Sequence, residues 1–171
     1  MNSYRTHTCS ELRAANIGKP TTLIGWVDSV RDHGGVIFID LRDRSGITQV
    51  VFHPEVNQDV AKASQQLRSE DMIQISGTVA ARLKTDTVDT TNADLPTGEI
   101  EVSADTLNVI NKADVLPFQL DRALSNEDLR LKYRFLDLRR PSMVRNMQIR
   151  HRVTKACLLY TSPSPRDMRR S

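Results

Sequence analysis

Apolar and polar residues alternate along much of the chain before Asn111, most clearly from Gly25 to Phe52, GWVDSVRDHGGVIFIDLRDRSGITQVVF. This pattern predicts three consecutive strands joined by two tight turns. Gly34-Gly35 marks the first turn and Ser45-Gly46 the second, because glycine supplies the positive φ that hairpin turns need. Strand side chains point alternately to opposite faces. Ile37, Ile39 and Leu41 therefore share a core face, while Phe38, Asp40 and Arg42 share the other. That second set puts an aromatic ring among charges, where burial does not explain it. On the next strand Thr48, Val50 and Phe52 face one way and Ile47, Gln49 and Val51 the other. A register that sets Gln49 near Phe38 gives one open face a ring and an amide. Such a pair suits an unstacked base, with the ring stacking and the amide pairing with a base edge.

The flanking pattern extends the sheet. Ser10 to Gly18 predicts a short helix, with Ser10 as its N-cap and Gly18 as its stop. Thr21 to Arg31 is the first strand, rich in β-branched residues. After His53-Pro54, the residues Val56, Val60, Ala63 and Leu67 recur at helical spacing. Met72 to Ala81 is a fourth strand, with Ile73, Ile75, Gly77 and Val79 inward. The polar stretch Lys84 to Pro96 reads as a loop. Gly98 to Asn111 is a fifth strand, with Ile100 and Val102 facing in and Glu99, Glu101 and Ser103 facing out.

Three strands, a helix and two strands is the order of a five-stranded OB-fold barrel with an inserted helix. In that fold the outer face of strands two and three binds oligonucleotides, and Phe38 and Gln49 lie on those strands. An outward aromatic taken alone more often covers a second cluster or a subunit contact. The strand order reverses that preference, although a fold does not by itself prove a function.

After Asn111 the pattern changes. Residues 112–126, with Pro117, read as a hinge. Asn126 is placed to cap a helix beginning at Glu127, and Pro141-Ser142 to open another. In that second helix Ile149, Val153 and Ala156 form an apolar stripe with nothing left in the chain to cover it. Residues 127–156 therefore read as the start of a truncated second domain. Helical periodicity stops at Cys157. The tail, CLLYTSPSPRD onward, resembles the translation of a transposase adaptor used in sequencing libraries, so 157–171 is expected to be non-native. The expected division is 1–111 barrel, 112–126 hinge, 127–156 partial domain and 157–171 tail.

Composition narrows the partners. The sequence pI near 9.1 leans on the tail. Setting aside Arg166, Arg169, Arg170 and Asp167 lowers the formal charge from +3 to +1. Nucleic-acid binding therefore rests on local placement of charge and not on its total. No apolar run approaches membrane-spanning length, and the N-terminus has no apolar signal stretch, so a cytoplasmic protein without membrane contact is expected. Cys9 and Cys157 lack metal-ligand spacing, and no metal is expected.

The quoted strand segment, together with TGEIEV (Thr97 to Val102), ADVLP (Ala113 to Pro117) and LRLKYRFLDLRRP (Leu129 to Pro141), resembles bacterial-type aspartyl-tRNA synthetase, a class II aminoacyl-tRNA synthetase. The resemblance spans roughly residues 4–156, with its four markers in order. It implies an N-terminal OB-fold that binds the anticodon, then a hinge, then the first helices of a truncated α/β catalytic domain. It implies that Phe38 stacks on an anticodon base and that Gln49 reads the central uracil. Glu101 would read the first base, a guanine or modified guanine. Arg31 would approach phosphate or base, and Asn92 the third base. The chain departs from many relatives in two places. Ser29-Val30-Arg31 stands where they carry a run of arginines, which should weaken phosphate contacts, and the loop from Leu83 to Pro96 is longer.

The implied parent is an aspartate–tRNA ligase, which attaches aspartate to tRNA(Asp) with ATP and Mg2+ and works as a homodimer. The residues that hold ATP, magnesium and aspartate belong to later motifs that this sequence lacks. No catalytic residue, cofactor or metal site is therefore expected in this chain, and it is expected to be inactive alone. His7, His33, His53 and His151 are scattered and read as surface or turn residues. Asp137-Leu138-Arg139-Arg140 reads as structural or as a contact near the tRNA. Three other readings stay open: a free-standing OB-fold for single strands or tRNA, a relative charging asparagine or lysine, and a dimer-forming domain in which Phe38 only packs.

Overall fold

The computed structural model describes residues 4–83, 90–120 and 125–161. The chain divides into two compact units, one ending at Asp114 and the other beginning at Val115. The first is mainly β: β1 (Pro20–His33), β2 (Val36–Arg42), β3 (Ile47–Phe52), α1 (Gln58–Ser64), β4 (Met72–Ala81) and β5 (Ile100–Asn111). Neighbours in the sheet run β1-β2-β3-β5-β4, and β4 pairs again with β1, so the pairings form a closed cycle. Among the described residues, only β3 and β5 pair in parallel.

One strand serves two neighbours because β1 is long. Its first half, Pro20 to Trp26, pairs with β4 and its second half, Trp26 to His33, with β2. The ladder with β2 slips between Val27 and Ser29, a bulge that bends the strand from one partner to the other. Gly34 and Gly35, at φ 66° and 94°, make the two-residue turn into β2, a conformation that side-chain-bearing residues resist. Gly77 has a different reason. A Cβ there would collide with the Ser103 carbonyl and with Ala104, at the register shift between β4 and β5.

The predicted alternation appears as burial. Ile37, Ile39, Leu41, Val50, Phe52, Ile73, Ile75, Val79, Ile100 and Val102 are all buried in one core. Strand β3 departs from simple alternation, because Gln49 and Val51 on its outer face are buried as well.

Three local expectations are corrected. Ser10 to Gly18 is not a helix; only a 3-10 turn forms, at Ala14–Asn16. The backbone before it is committed elsewhere. The Cys9 amide donates to Asp43 Oδ2 at 3.0 Å, and Thr48 Oγ1 donates to the Cys9 carbonyl at 2.6 Å. Burial, reinforced by the Asp43 charge, pushes the Cys9 thiol up to about 12. The helix after Pro54 is shorter than its apolar spacing suggested and starts after Asn57, leaving Val56 exposed. The Asn57 side chain accepts from the amides of Asp59 and Val60. Loss of an N-cap of this kind costs about 1 kcal/mol, so Asn57→Ala should lower unfolding stability by about that amount in a denaturant titration. The end of the chain also differs: α4 (Pro141–Thr161) continues past Cys157. Residues 84–89 of the predicted loop lie outside the described residues, as does the tail from residue 162 onward.

The second unit contains α2 (Glu127–Lys132), α3 (Arg134–Asp137) and α4. Asn126 caps α2 as expected, accepting from the Asp128 amide. Within the charge-rich segment Asp137 is buried. It accepts from Arg134 Nη1 at 2.7 Å and pairs with Arg140 Nε at 3.1 Å. Arg140 also lies over the Phe118 ring. Ile149 and Val153 are exposed on α4. Among the described residues no helix is long and apolar enough to cross a membrane.

Candidate nucleic-acid interface

The outward side chains of β1, β2 and β3 meet at a cavity of about 510 Å³, lined by Arg31, His33, Phe38, Gln49, Arg82, Thr90, Thr91 and Asn92. Its size is in the range of small-ligand sites. Four of the five residues singled out from the sequence line it: Arg31, Phe38, Gln49 and Asn92. The fifth, Glu101, touches the site through Gln49, whose Nε2 donates to Glu101 Oε2 at 2.9 Å.

Strand register explains the convergence. Phe38 lies opposite Arg31 on β1 and opposite Val51 on β3. Gln49 is opposite Asp40 and hence diagonal to the ring, not directly beside it. Val50 pairs with Val102 across the parallel β3–β5 contact, which brings Gln49 alongside Glu101. The ring of Phe38 is half-buried. Its edge meets His33, with ring centroids 5.5 Å apart and planes at 75°.

The polar groups form a connected row. Ser29 Oγ donates to Asp40 Oδ2 at 2.6 Å, and Arg31 Nη2 donates to Asp40 Oδ1 and Oδ2 at 2.9 and 3.1 Å. The same Nη2 donates to Gln49 Oε1 at 3.4 Å. Asn92 is held by a compact turn in which its amide donates to the Gly98 carbonyl at 3.0 Å. A Cβ at Gly98 would strike the Asn92 carbonyl, so glycine is what permits that closure.

Four lining residues were not singled out from the sequence: His33, Arg82, Thr90 and Thr91. His33 looked like a turn residue, yet it meets the aromatic ring. Arg82, just past the predicted fourth strand, is buried, with Nε donating to the Ile100 carbonyl at 3.0 Å and Nη1 to the Thr90 carbonyl at 3.3 Å. Burial pushes the Arg82 guanidinium down from its ordinary value, against the opposing charges of Glu101 and Asp40. Arg82 continues the outward period of Thr78 and Ala80 on β4, the signal that could have found it.

Two arginines and two carboxylates thus surround a ring and an amide. The ring offers a stacking face, the amide offers one donor and one acceptor type, and the arginines offer charge to phosphate. Among the described residues no group of three His, Cys, Asp or Glu side chains could hold a metal ion.

Comparison with known proteins gives a family. Residues 21–110 match the model of the OB-fold nucleic acid binding domain. The chain is 48% identical over 162 residues to an aspartate–tRNA(Asp/Asn) ligase of Methylacidiphilum infernorum, covering 95% of this chain and 26% of that protein. It is 51% identical over 161 residues to the enzyme of the same name from Salinibacter ruber, covering 91% and 25%. Among solved structures, asparaginyl-tRNA synthetase from Pyrococcus horikoshii complexed with asparaginyl-adenylate superposes with a TM-score of 0.73. That match is 26% identical and covers 93% of this chain and 35% of that one. The chain spans about a quarter of the length of the curated relatives it matches.

Proposed function

The chain belongs to the OB-fold nucleic acid binding domain family, and from that premise we propose that it is the anticodon-binding part of an aspartate–tRNA ligase. The observation that carries the proposal is the convergence of Phe38, Gln49, Arg31 and Asn92 on one cavity, with Glu101 bonded to Gln49. Phe38 stacks on an extruded base. Gln49 complements the central uracil, because uracil presents one N–H between two carbonyl acceptors and an amide offers both partners. Glu101 accepts from the N1–H and amino group of the first base, a guanine. Arg31 approaches phosphate or base, and Asn92 the third base. The half-buried ring and the polar row around the amide favour this reading over one in which Phe38 merely packs.

The barrel, in this reading, is the recognition module of a larger class II enzyme. Residues 112–126 serve as its hinge, and 127–156 begin its catalytic domain. Aspartate activation with ATP and Mg2+ then belongs to the remainder of the parent, a cytoplasmic homodimer. The relatives' name includes two tRNAs, and the parent is proposed to charge tRNA(Asp) with tRNA(Asn) as its second substrate.

Titration of the chain with an anticodon stem-loop tests the proposal. Binding should prefer a central uracil to a central cytosine, and Gln49→Ala should remove that preference. A good two-point base contact is worth about 1–3 kcal/mol of discrimination, so the loss should be about ten-fold. Equal affinity for unrelated single strands would mean a general OB-fold binder instead.

A further inference from the structure

The row of hydrogen bonds behind Gln49 has a consequence for base choice, resting on the reading that Gln49 contacts the central base. An amide can present itself in two orientations that exchange its oxygen and its NH2 group. Here the neighbours decide between them. Oε1 faces Arg31, which can only donate, and Nε2 faces Glu101, which as a carboxylate only accepts. The reversed amide would set NH2 against a guanidinium and a carbonyl against a carboxylate, so both contacts would become repulsive. Each amide group still has a spare site, a second lone pair on Oε1 and a second N–H on Nε2.

Arg31 can exert this control only where its own position is fixed. Its side chain is about half exposed, 48%, and a free arginine samples many rotamers. Asp40 removes that freedom. It sits opposite Gln49 on β2 and accepts from the same Nη2 that reaches Gln49 Oε1. Ser29 Oγ, opposite Asp40 on β1, also holds the carboxylate, donating to Oδ2 at 2.6 Å.

We infer that Asp40 is a positioning residue for base recognition, setting the orientation of the Gln49 amide through Arg31 and so the preference for uracil over cytosine at the central position. Uracil and cytosine present opposite hydrogen-bonding polarity at position 4, a carbonyl in one and an amino group in the other. An amide locked in one orientation distinguishes them. An amide free to turn accommodates both.

Asp40→Asn tests this. Exposed ion pairs add little stability, so the variant should fold, as far-UV circular dichroism and thermal unfolding will report. The readout is the ratio of affinities of the 171-residue chain for two anticodon stem-loops that differ only in a central uracil or cytosine. The ratio should fall by roughly ten-fold. Affinity for both loops should hold or rise at low salt, because the change removes a negative charge near phosphate. Damage to the fold would lower both affinities together, so the opposite directions of the two readouts separate positioning from structure. If Asp40→Asn does not fold, Ser29→Ala leaves the charge in place and removes one support of the carboxylate. It should narrow the ratio by about two- to three-fold, in keeping with loss of one hydrogen bond.

An unchanged ratio in the folded variant overturns the role of Asp40 while the function proposed above stands. A wild-type chain with no preference between the two loops overturns that function first, and this inference with it.

Discussion

Phe38→Ala should weaken binding of the cognate anticodon stem-loop by about ten-fold or more. Stacking of a base on an aromatic ring is worth about 1–3 kcal/mol, and each 1.4 kcal/mol is a factor of about ten in affinity. The ring lies on the outer face of β2, half-buried, while the core-facing neighbours Ile37 and Ile39 are fully buried. Thermal stability should therefore change little, by no more than loss of the edge contact with His33. The slope of log affinity against log salt should stay the same, because no phosphate contact is removed. Phe38→Leu separates stacking from packing. Leucine restores apolar volume but has no flat π face, so it should bind as weakly as alanine. Recovery of affinity with leucine would make Phe38 a packing residue and remove the main support for a base-binding face.

The sheet was legible because its residues obey a period of two imposed by the backbone. Met72–Ala81 keeps both predicted ends, and inward Ile37, Ile39 and Leu41 are buried as alternation requires. The site was partly legible for the same reason: outward Phe38 and Gln49 on adjacent strands must share a face. What the sequence concealed is pairing between residues far apart in it. Ser10 to Gly18 carries local helix signals, yet the Cys9 backbone bonds to Asp43 and Thr48 on the β2–β3 hairpin, and a partner that distant leaves no periodic trace. Gln49 was legible as the partner of Phe38 on one face, while its orientation depends on Arg31 and Glu101 from two other strands. Arg82 lies just past a predicted strand, and the carbonyls that let it be buried come from Ile100 on β5 and from Thr90, both distant in the chain.

That distant pairing gives the largest stability effect expected, at Asp43. Its Oδ2 accepts from the Cys9 amide at 3.0 Å. Its Oδ1 accepts from the Ser45 and Gly46 amides at 2.6 and 3.2 Å and from the Ser45 hydroxyl. Arg5 lies 3.5 Å from it. One carboxylate therefore closes the β2–β3 turn and pins the N-terminal segment over the core. Asp43→Ala leaves the fully buried Cys9 amide without this acceptor, a cost of about 1–3 kcal/mol. Loosening of the turn adds to it, for about 2–4 kcal/mol in all. Urea titration should show that loss, and the thermal midpoint should fall by about 10 °C. The same group sets part of the acid response. Burial pushes the Asp43 carboxyl up and is the largest single influence. The bonds from Ser45, Cys9 and Gly46 together outweigh it and hold the carboxyl below its ordinary value of 3.8. A folded pKa below the unfolded one means that the unfolded chain binds the proton more readily, so stability falls as pH falls. Its contribution is complete above the ordinary carboxylate range and is lost as pH drops through the depressed folded value. Asp43→Asn, which cannot titrate, should flatten that part of the stability curve below about pH 4. If the acid limbs of wild type and Asp43→Asn coincide, other carboxylates govern the acid response and the turn is held chiefly by its backbone.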